Sequence, residues 1–187
     1  YFGLKEVADF WESVVQINTW HQNRISKIVI EKLFGTISQK KIIILGFAFK
    51  ANTNDTRESA AISICKDLID EGAYLLIYDP KVSPKQIESD LQIKPKNITD
   101  KNHSLNNNLG GWEFCQNLEI FQGAHAALIL TEWEEFRNIN WGEVSKKMAQ
   151  PAWIIDSRSI VDPIKVKEAG LKLWRLGDGS HNDGIAF

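Results

Sequence analysis

Cysteine is almost absent from this chain: Cys65 and Cys115 are the only two. They have no metal-ligand spacing, and two cysteines in 187 residues fall short of the disulfide framework of small secreted domains. Both are therefore expected to be reduced thiols of a cytoplasmic protein. Proline is also scarce, with five residues and none before Pro80, so nothing interrupts a helix early in the chain. No apolar run approaches the roughly 20 residues needed to cross a bilayer, so no membrane-spanning helix is expected. The 22 basic and 24 acidic residues leave a net charge of −2, which argues against a general nucleic-acid or membrane surface. The four histidines, His21, His103, His125 and His181, show no pairing at metal-ligand spacing, and no Gly-x-Ser-x-Gly elbow is present. No metal site is expected. The single methionine, Met148, is internal and the chain opens on Tyr1, so the sequence reads as a piece of a longer protein.

What is present is a long amphipathic segment followed by alternating strands and helices. Apolar residues at Val7, Phe10, Trp11, Val14, Ile17, Ile25, Ile28, Val29 and Leu33 recur near the spacing of one helix face. They predict a helix over residues 4–34, ended by Gly35. About 30 residues of helix would reach about 45 Å, more than a small domain needs for itself. Such a helix either packs on its own sheet or connects two domains and packs against a partner subunit. The aliphatic run Ile42–Leu45 predicts a strand covered on both faces. Residues 60–70 then read as a helix and 74–78 as a strand ended by Asp79-Pro80. Residues 81–123 alternate less clearly, and the polar run 102–111 reads as a surface loop. Strands follow at 126–130, 153–155 and 171–176, with helices at 131–136, capped by Thr131, and at 164–169. This order predicts an α/β fold, a Rossmann-like parallel sheet with helices on both faces, preceded by a long connector helix. The expected divisions are the helix at 1–35, the sheet domain at 36–176 and a mobile tail at 177–187.

The most informative segment is Leu45-Gly-Phe-Ala-Phe-Lys-Ala-Asn-Thr-Asn-Asp-Thr-Arg-Glu-Ser59. It leaves the carboxyl end of a buried strand, where open α/β sheets bind ligands. It is about twice as long as a usual strand-to-helix connection of roughly 2–6 residues. A dinucleotide fold would carry Gly-x-Gly-x-x-Gly here and an acid ending the second strand. Asp79 supplies the acid, but Phe47, Ala48 and Phe49 follow Gly46, so a ligand must be held by side chains. Phe49 offers an apolar wall, Lys50 a point charge and Arg57 a planar fork for phosphate. Alternatively, Lys50 and Arg57 are solvated and pair with Asp55 and Glu58. Asp55 and Glu58 also have the spacing of a helix capping box, and that role is expected of both. Arg158, in Asp156-Ser-Arg158, ends a later strand on the same sheet edge; it either enters the same crevice or forms a surface ion pair. Cys65, on an apolar helix face with no base nearby, is not expected to be a nucleophile.

These residues resemble the C-terminal UDP-binding domain of the UDP-glucose 6-dehydrogenase family. The resemblance rests on Leu45-Gly-Phe-Ala-Phe-Lys50 and Asp55-Thr-Arg-Glu-Ser59. It continues through Asp70-Glu-Gly-Ala73, Ile77-Tyr-Asp-Pro-Lys-Val82, Gly123-Ala-His-Ala126, Thr131-Glu-Trp133 and Asp156-Ser-Arg158, over roughly residues 5–175. The resemblance implies oxidation of the C6 alcohol of UDP-glucose to UDP-glucuronate, by successive hydride transfers to NAD through a cysteine thiohemiacetal. It implies that Phe49 and Lys50 contact the UDP-sugar, that Arg158 contacts the sugar or its phosphates, and that Arg57 reaches the NAD. The NAD itself would lie on a separate N-terminal domain, and the helix over 4–34 would form the core of a homo-oligomer. The Gly-rich NAD site, the catalytic cysteine and the catalytic lysine of the family precede the helix, so the chain is expected to be inactive alone. A related enzyme acting on GDP-mannose or a UDP-N-acetylhexosamine is the alternative, as is a non-catalytic nucleotide-binding or oligomerisation module. Two departures stand out. Ser157 occupies a position usually held by glycine, which is expected to restrict the turn and shift Arg158. Residues 102–115 look unlike the family.

Overall fold

The computed structural model describes residues 3–96 and 110–177. The polar run 102–109, and the predicted tail beyond Gly177, lie outside the described residues. Helix α1 (Lys5–Lys32) opens the fold. It is followed by β1 (Lys41–Leu45), α2 (Ala60–Asp70), β2 (Tyr74–Tyr78), α3 (Pro84–Leu91) and β3 (Gly111–Phe114). The second half contains β4 (Ala126–Ile129), α4 (Glu134–Arg137), α5 (Trp141–Lys147), β5 (Trp153–Asp156), α6 (Pro163–Glu168) and β6 (Lys172–Arg175).

All six strands are parallel, in the order β3-β2-β1-β4-β5-β6. Ile42 lies opposite Leu75 on one side and Ala126 on the other. Ile42 through Leu45 are fully buried, each contributing about 1.5–3 kcal/mol relative to an exposed side chain. The chain runs outward from β1 to β3, returns, and runs the other way from β4 to β6. Right-handed crossovers then place the two sets of helices on opposite faces. Accordingly α2 packs against α1 and α3, and α5 packs against α6. The sheet has one strand more than the sequence pattern predicts. β3 is short and borders the polar run, and its Trp112 is fully buried with its indole N–H on the Ile93 carbonyl at 2.8 Å. Helices α3 and α5 were likewise not legible in the periodicity; each is short and opens on a side-chain cap, Ser83 and Asn140.

The long helix has two unlike halves. Ile25, Ile28, Val29 and Leu33 are buried, and the Ser26 hydroxyl donates to Asp67 of α2 at 2.8 Å. Toward the amino end, Val7, Phe10, Trp11, Val15, Ile17 and Trp20 are exposed, each by about half of its surface or more. The helix ends where Phe34 and Gly35 take positive φ and the Gly35 N–H returns to the Ile30 carbonyl.

Candidate functional site

The strand order reverses between β1 and β4, and the crevice outside their carboxyl ends is where such sheets take ligands. Gly46 leaves β1 at φ +91, and a Cβ there would lie 2.4 Å from the Thr131 Cβ. Only glycine allows the two loops to touch at this point. The Thr131 hydroxyl donates to the Ala48 carbonyl at 2.7 Å, which locks the contact. Thr131 is therefore not the cap expected of it. Helix α4 starts later, after Trp133, with no side-chain cap.

Asp79 ends β2 as anticipated, but its carboxylate is turned inward and only 3% exposed. One oxygen accepts the N–H groups of Phe47 (2.7 Å) and Ala48 (3.0 Å) and the indole N–H of Trp133 (3.2 Å). The other accepts the N–H groups of Lys81 and Val82, each at 2.9 Å. In a dinucleotide fold the backbone after the first strand meets a pyrophosphate and the acid meets a ribose. Here the acid and the amides satisfy each other, so neither is available to a dinucleotide.

The remainder of the loop presents side chains. The Phe49 N–H donates to the Asp55 carbonyl at 2.9 Å, closing residues 49–55 into a compact turn. Phe49 is left 49% exposed, and Lys50 is exposed with no ion pair among the described residues. Arg57 behaves differently: its Nε and Nη2 donate to Asp55, at 2.7 Å for Nη2. These bonds hold the Asp55 carboxyl down to about 2 and raise Arg57. Asp55 also accepts the Arg57 N–H. The expected capping box is not formed. Ser59 caps α2 by accepting the Ala61 N–H, its hydroxyl donates to the Phe47 carbonyl at 2.8 Å, and Glu58 sits at φ 59, outside the helix.

Arg158 joins the same edge from β5. The buried Asp156 accepts the N–H groups of Arg158, Ile160 and Val161, which shapes the turn. Ser157 does not take positive φ, so the turn accommodates serine, and its hydroxyl donates to the Ile129 carbonyl at 2.8 Å. The Arg158 Nε donates to the Leu130 carbonyl at 2.8 Å and lies 3.5 Å from Glu132. Glu132 also accepts the Ala51 N–H at 3.2 Å. The fold thus gathers Phe49, Lys50 and Arg158 around the switch point, with Arg57 engaged at its rim. Reading the sequence alone missed Glu132 and the inward role of Asp79. The available signal for Glu132 was its place two residues after the strand predicted over 126–130, on the shared edge.

An exposed aromatic wall and two cations suit an anionic ligand with a planar part, such as a nucleoside diphosphate. Neither cysteine is an activated thiol: burial pushes Cys65 far up and holds Cys115 up to about 11, with Glu113 adding to the latter. No group of residues suited to a metal ion occurs among the described residues. A groove of about 510 Å³ lined by Arg137, Trp141 and Lys165 holds none of the crevice residues.

Comparison with known proteins bears on the family and the fold. Residues 43–163 match the UDP-glucose/GDP-mannose dehydrogenase family, UDP binding domain. The chain is 37% identical to a rice protein named UDP-glucose 6-dehydrogenase 2, over 94% of this chain and 37% of the relative. It is 38% identical to the Drosophila melanogaster UDP-glucose 6-dehydrogenase, over 98% of this chain and 38% of the relative. The chain therefore spans little more than a third of the length of these relatives. Among solved structures, an NDP-N-acetyl-D-galactosaminuronic acid dehydrogenase from Methanosarcina mazei superposes with a TM-score of 0.64 at 19% identity. That match covers 89% of this chain and 30% of the other. A UDP-glucose dehydrogenase from Pyrobaculum islandicum gives 0.61 at 18%, covering 87% and 31%. These two matches support the fold. With the matched segment, the parallel sheet and the loop after β1 in agreement, this chain belongs to the UDP-glucose/GDP-mannose dehydrogenase family and contains its UDP-binding domain.

Proposed function

We propose that this chain is the UDP-sugar-binding portion of a UDP-glucose 6-dehydrogenase, an NAD-dependent oxidoreductase that converts UDP-glucose to UDP-glucuronate. The observation that supports the reading is the loop of residues 46–58, which presents exposed Phe49 and Lys50 on the sheet edge from which Arg158 also leaves. Phe49 covers an apolar face of the ligand, Lys50 attracts the diphosphate and Arg158 bonds to the phosphates or the sugar. Each charge-assisted hydrogen bond contributes about 1.5–3 kcal/mol. NAD does not fit the turn after β1, because Asp79 occupies the amides of Phe47 and Ala48. No hydride-transfer step is assigned to residues of this chain. The dinucleotide belongs to an N-terminal domain of the whole protein, toward which Arg57 projects from the rim, and the catalytic cysteine and lysine belong there too. The exposed half of α1 serves as the oligomer contact.

Calorimetric titration with UDP, UDP-glucose, GDP and NAD tests the reading. Binding of UDP and UDP-glucose, with neither GDP nor NAD, is expected. Preference for GDP would move the chain to a GDP-sugar enzyme. NADH formation from UDP-glucose by these 187 residues alone would overturn the assignment of catalysis to another domain.

A further inference from the structure

We infer that Glu132 is a positioning residue of the nucleotide crevice, one carboxylate that ties the loop bearing Lys50 to the guanidinium of Arg158. The inference rests on the reading of Lys50 and Arg158 as diphosphate ligands. Glu132 follows Thr131 at the switch point, where the Thr131 bond to Ala48 pins the backbone. Its Oε1 accepts the N–H of Ala51, the residue after Lys50, at 3.2 Å. Its Oε2 lies 3.5 Å from the Arg158 Nε, which also donates to the Leu130 carbonyl. Both contacts hold the guanidinium at its root. Among the described residues, no hydrogen bond engages its terminal Nη1 or Nη2. A fork held at Nε presents its terminal groups as a fixed pair, the geometry that matches two phosphate oxygens.

The side chains of Arg158 and Glu132 are 34% and 37% exposed, so as an ion pair they are partly screened. The contribution of Glu132 is orientation, settled before a ligand arrives. Its charge acts in the opposite direction, by repelling a diphosphate. The sign of a substitution shows which effect is larger, and the two-sided tether points to orientation.

The test uses the longest natural chain that contains these residues and UDP as the probe. Glu132→Gln keeps an acceptor for Ala51 and removes the charge; Glu132→Ala removes both. Titration is expected to show UDP affinity lowered about tenfold in Glu132→Ala and less in Glu132→Gln, with the urea midpoint unchanged. Arg158→Ala should cost markedly less in the Glu132→Ala background than in the wild type, because the two side chains act as a unit. A readout independent of UDP is the exchange of the Arg158 Nε–H with water, followed by NMR, expected to be about tenfold faster in Glu132→Ala. Equal or tighter UDP binding by Glu132→Ala, or additive effects of the two substitutions, would overturn the inference. Failure of the wild type to bind UDP would remove the functional reading itself. The Nε–H exchange would then decide alone: unchanged exchange in Glu132→Ala refutes the orienting role, and faster exchange supports it.

Discussion

Replacing Asp79 by alanine should be among the most damaging single changes in this domain, and the structure sets the magnitude. The carboxylate accepts five donors: the amides of Phe47, Ala48, Lys81 and Val82 and the indole of Trp133. Lys81 is exposed, so water can replace its partner. Phe47 and Ala48 are fully buried and Val82 is 2% exposed, so their amides would have none. An orphaned buried donor costs about 1–3 kcal/mol. Some relaxation will admit water, and the expected loss for Asp79→Ala is roughly 3–5 kcal/mol. That is a large part of the roughly 5–15 kcal/mol that holds a domain together. Asp79→Asn keeps one acceptor oxygen but turns an NH₂ group toward the remaining amides, for a loss of roughly 2–4 kcal/mol. Urea unfolding at neutral pH, followed by tryptophan emission and analysed at a common slope, measures both. A loss below about 1 kcal/mol for Asp79→Ala would refute the reasoning, since the loop amides would then have other acceptors.

Other consequences follow from the same geometry. Gly46→Ala should destabilise by roughly 2–4 kcal/mol, read as a lower Tm, because the residue has φ +91 and its Cβ would meet Thr131. Phe49→Ala and Lys50→Ala should leave the urea midpoint nearly unchanged while weakening UDP binding about tenfold each by calorimetry. Asp55 binds fewer protons folded than unfolded. Its pairing with Arg57 therefore contributes fully above the unfolded value of 3.8 and is lost as the pH falls through about 2. An NMR titration of the Asp55 carboxyl should show that low midpoint, rising toward 3.8 in Arg57→Ala. At mildly alkaline pH a thiol reagent should label native Cys115 slowly and Cys65 more slowly still, with both labelled on unfolding; rapid labelling of Cys65 would contradict its burial in α2.

Periodicity and punctuation in the sequence by themselves determined most of the scaffold. Ile42–Leu45 and Tyr74–Tyr78 read as strands because parallel strands buried on both faces need continuous aliphatics, and both lie where predicted. Helix α1 read as one element because apolar residues recur at helical spacing on both sides of the polar stretch 18–24 and no proline or glycine interrupts residues 4–34. Its division into a buried and an exposed half is invisible to that spacing, because period reports a face and not what covers it. Strand β3 was missed because four residues carry too little periodicity to separate from a loop. At the crevice, the residue types of Phe49, Lys50 and Arg158 and their places at strand ends were legible. Partner choice was not. Asp55 and Glu58 have capping-box spacing, yet the helix starts one turn later on Ser59, since Asp55 is taken by Arg57. Thr131 resembles a cap, yet its hydroxyl bonds across the switch point to Ala48, 83 residues away. Asp79 resembles a ribose ligand, yet it faces inward to five donors drawn from three separate segments. Local sequence determines which groups can bond; only the packed sheet, by bringing the ends of β1, β2, β4 and β5 to one edge, decides which of them do.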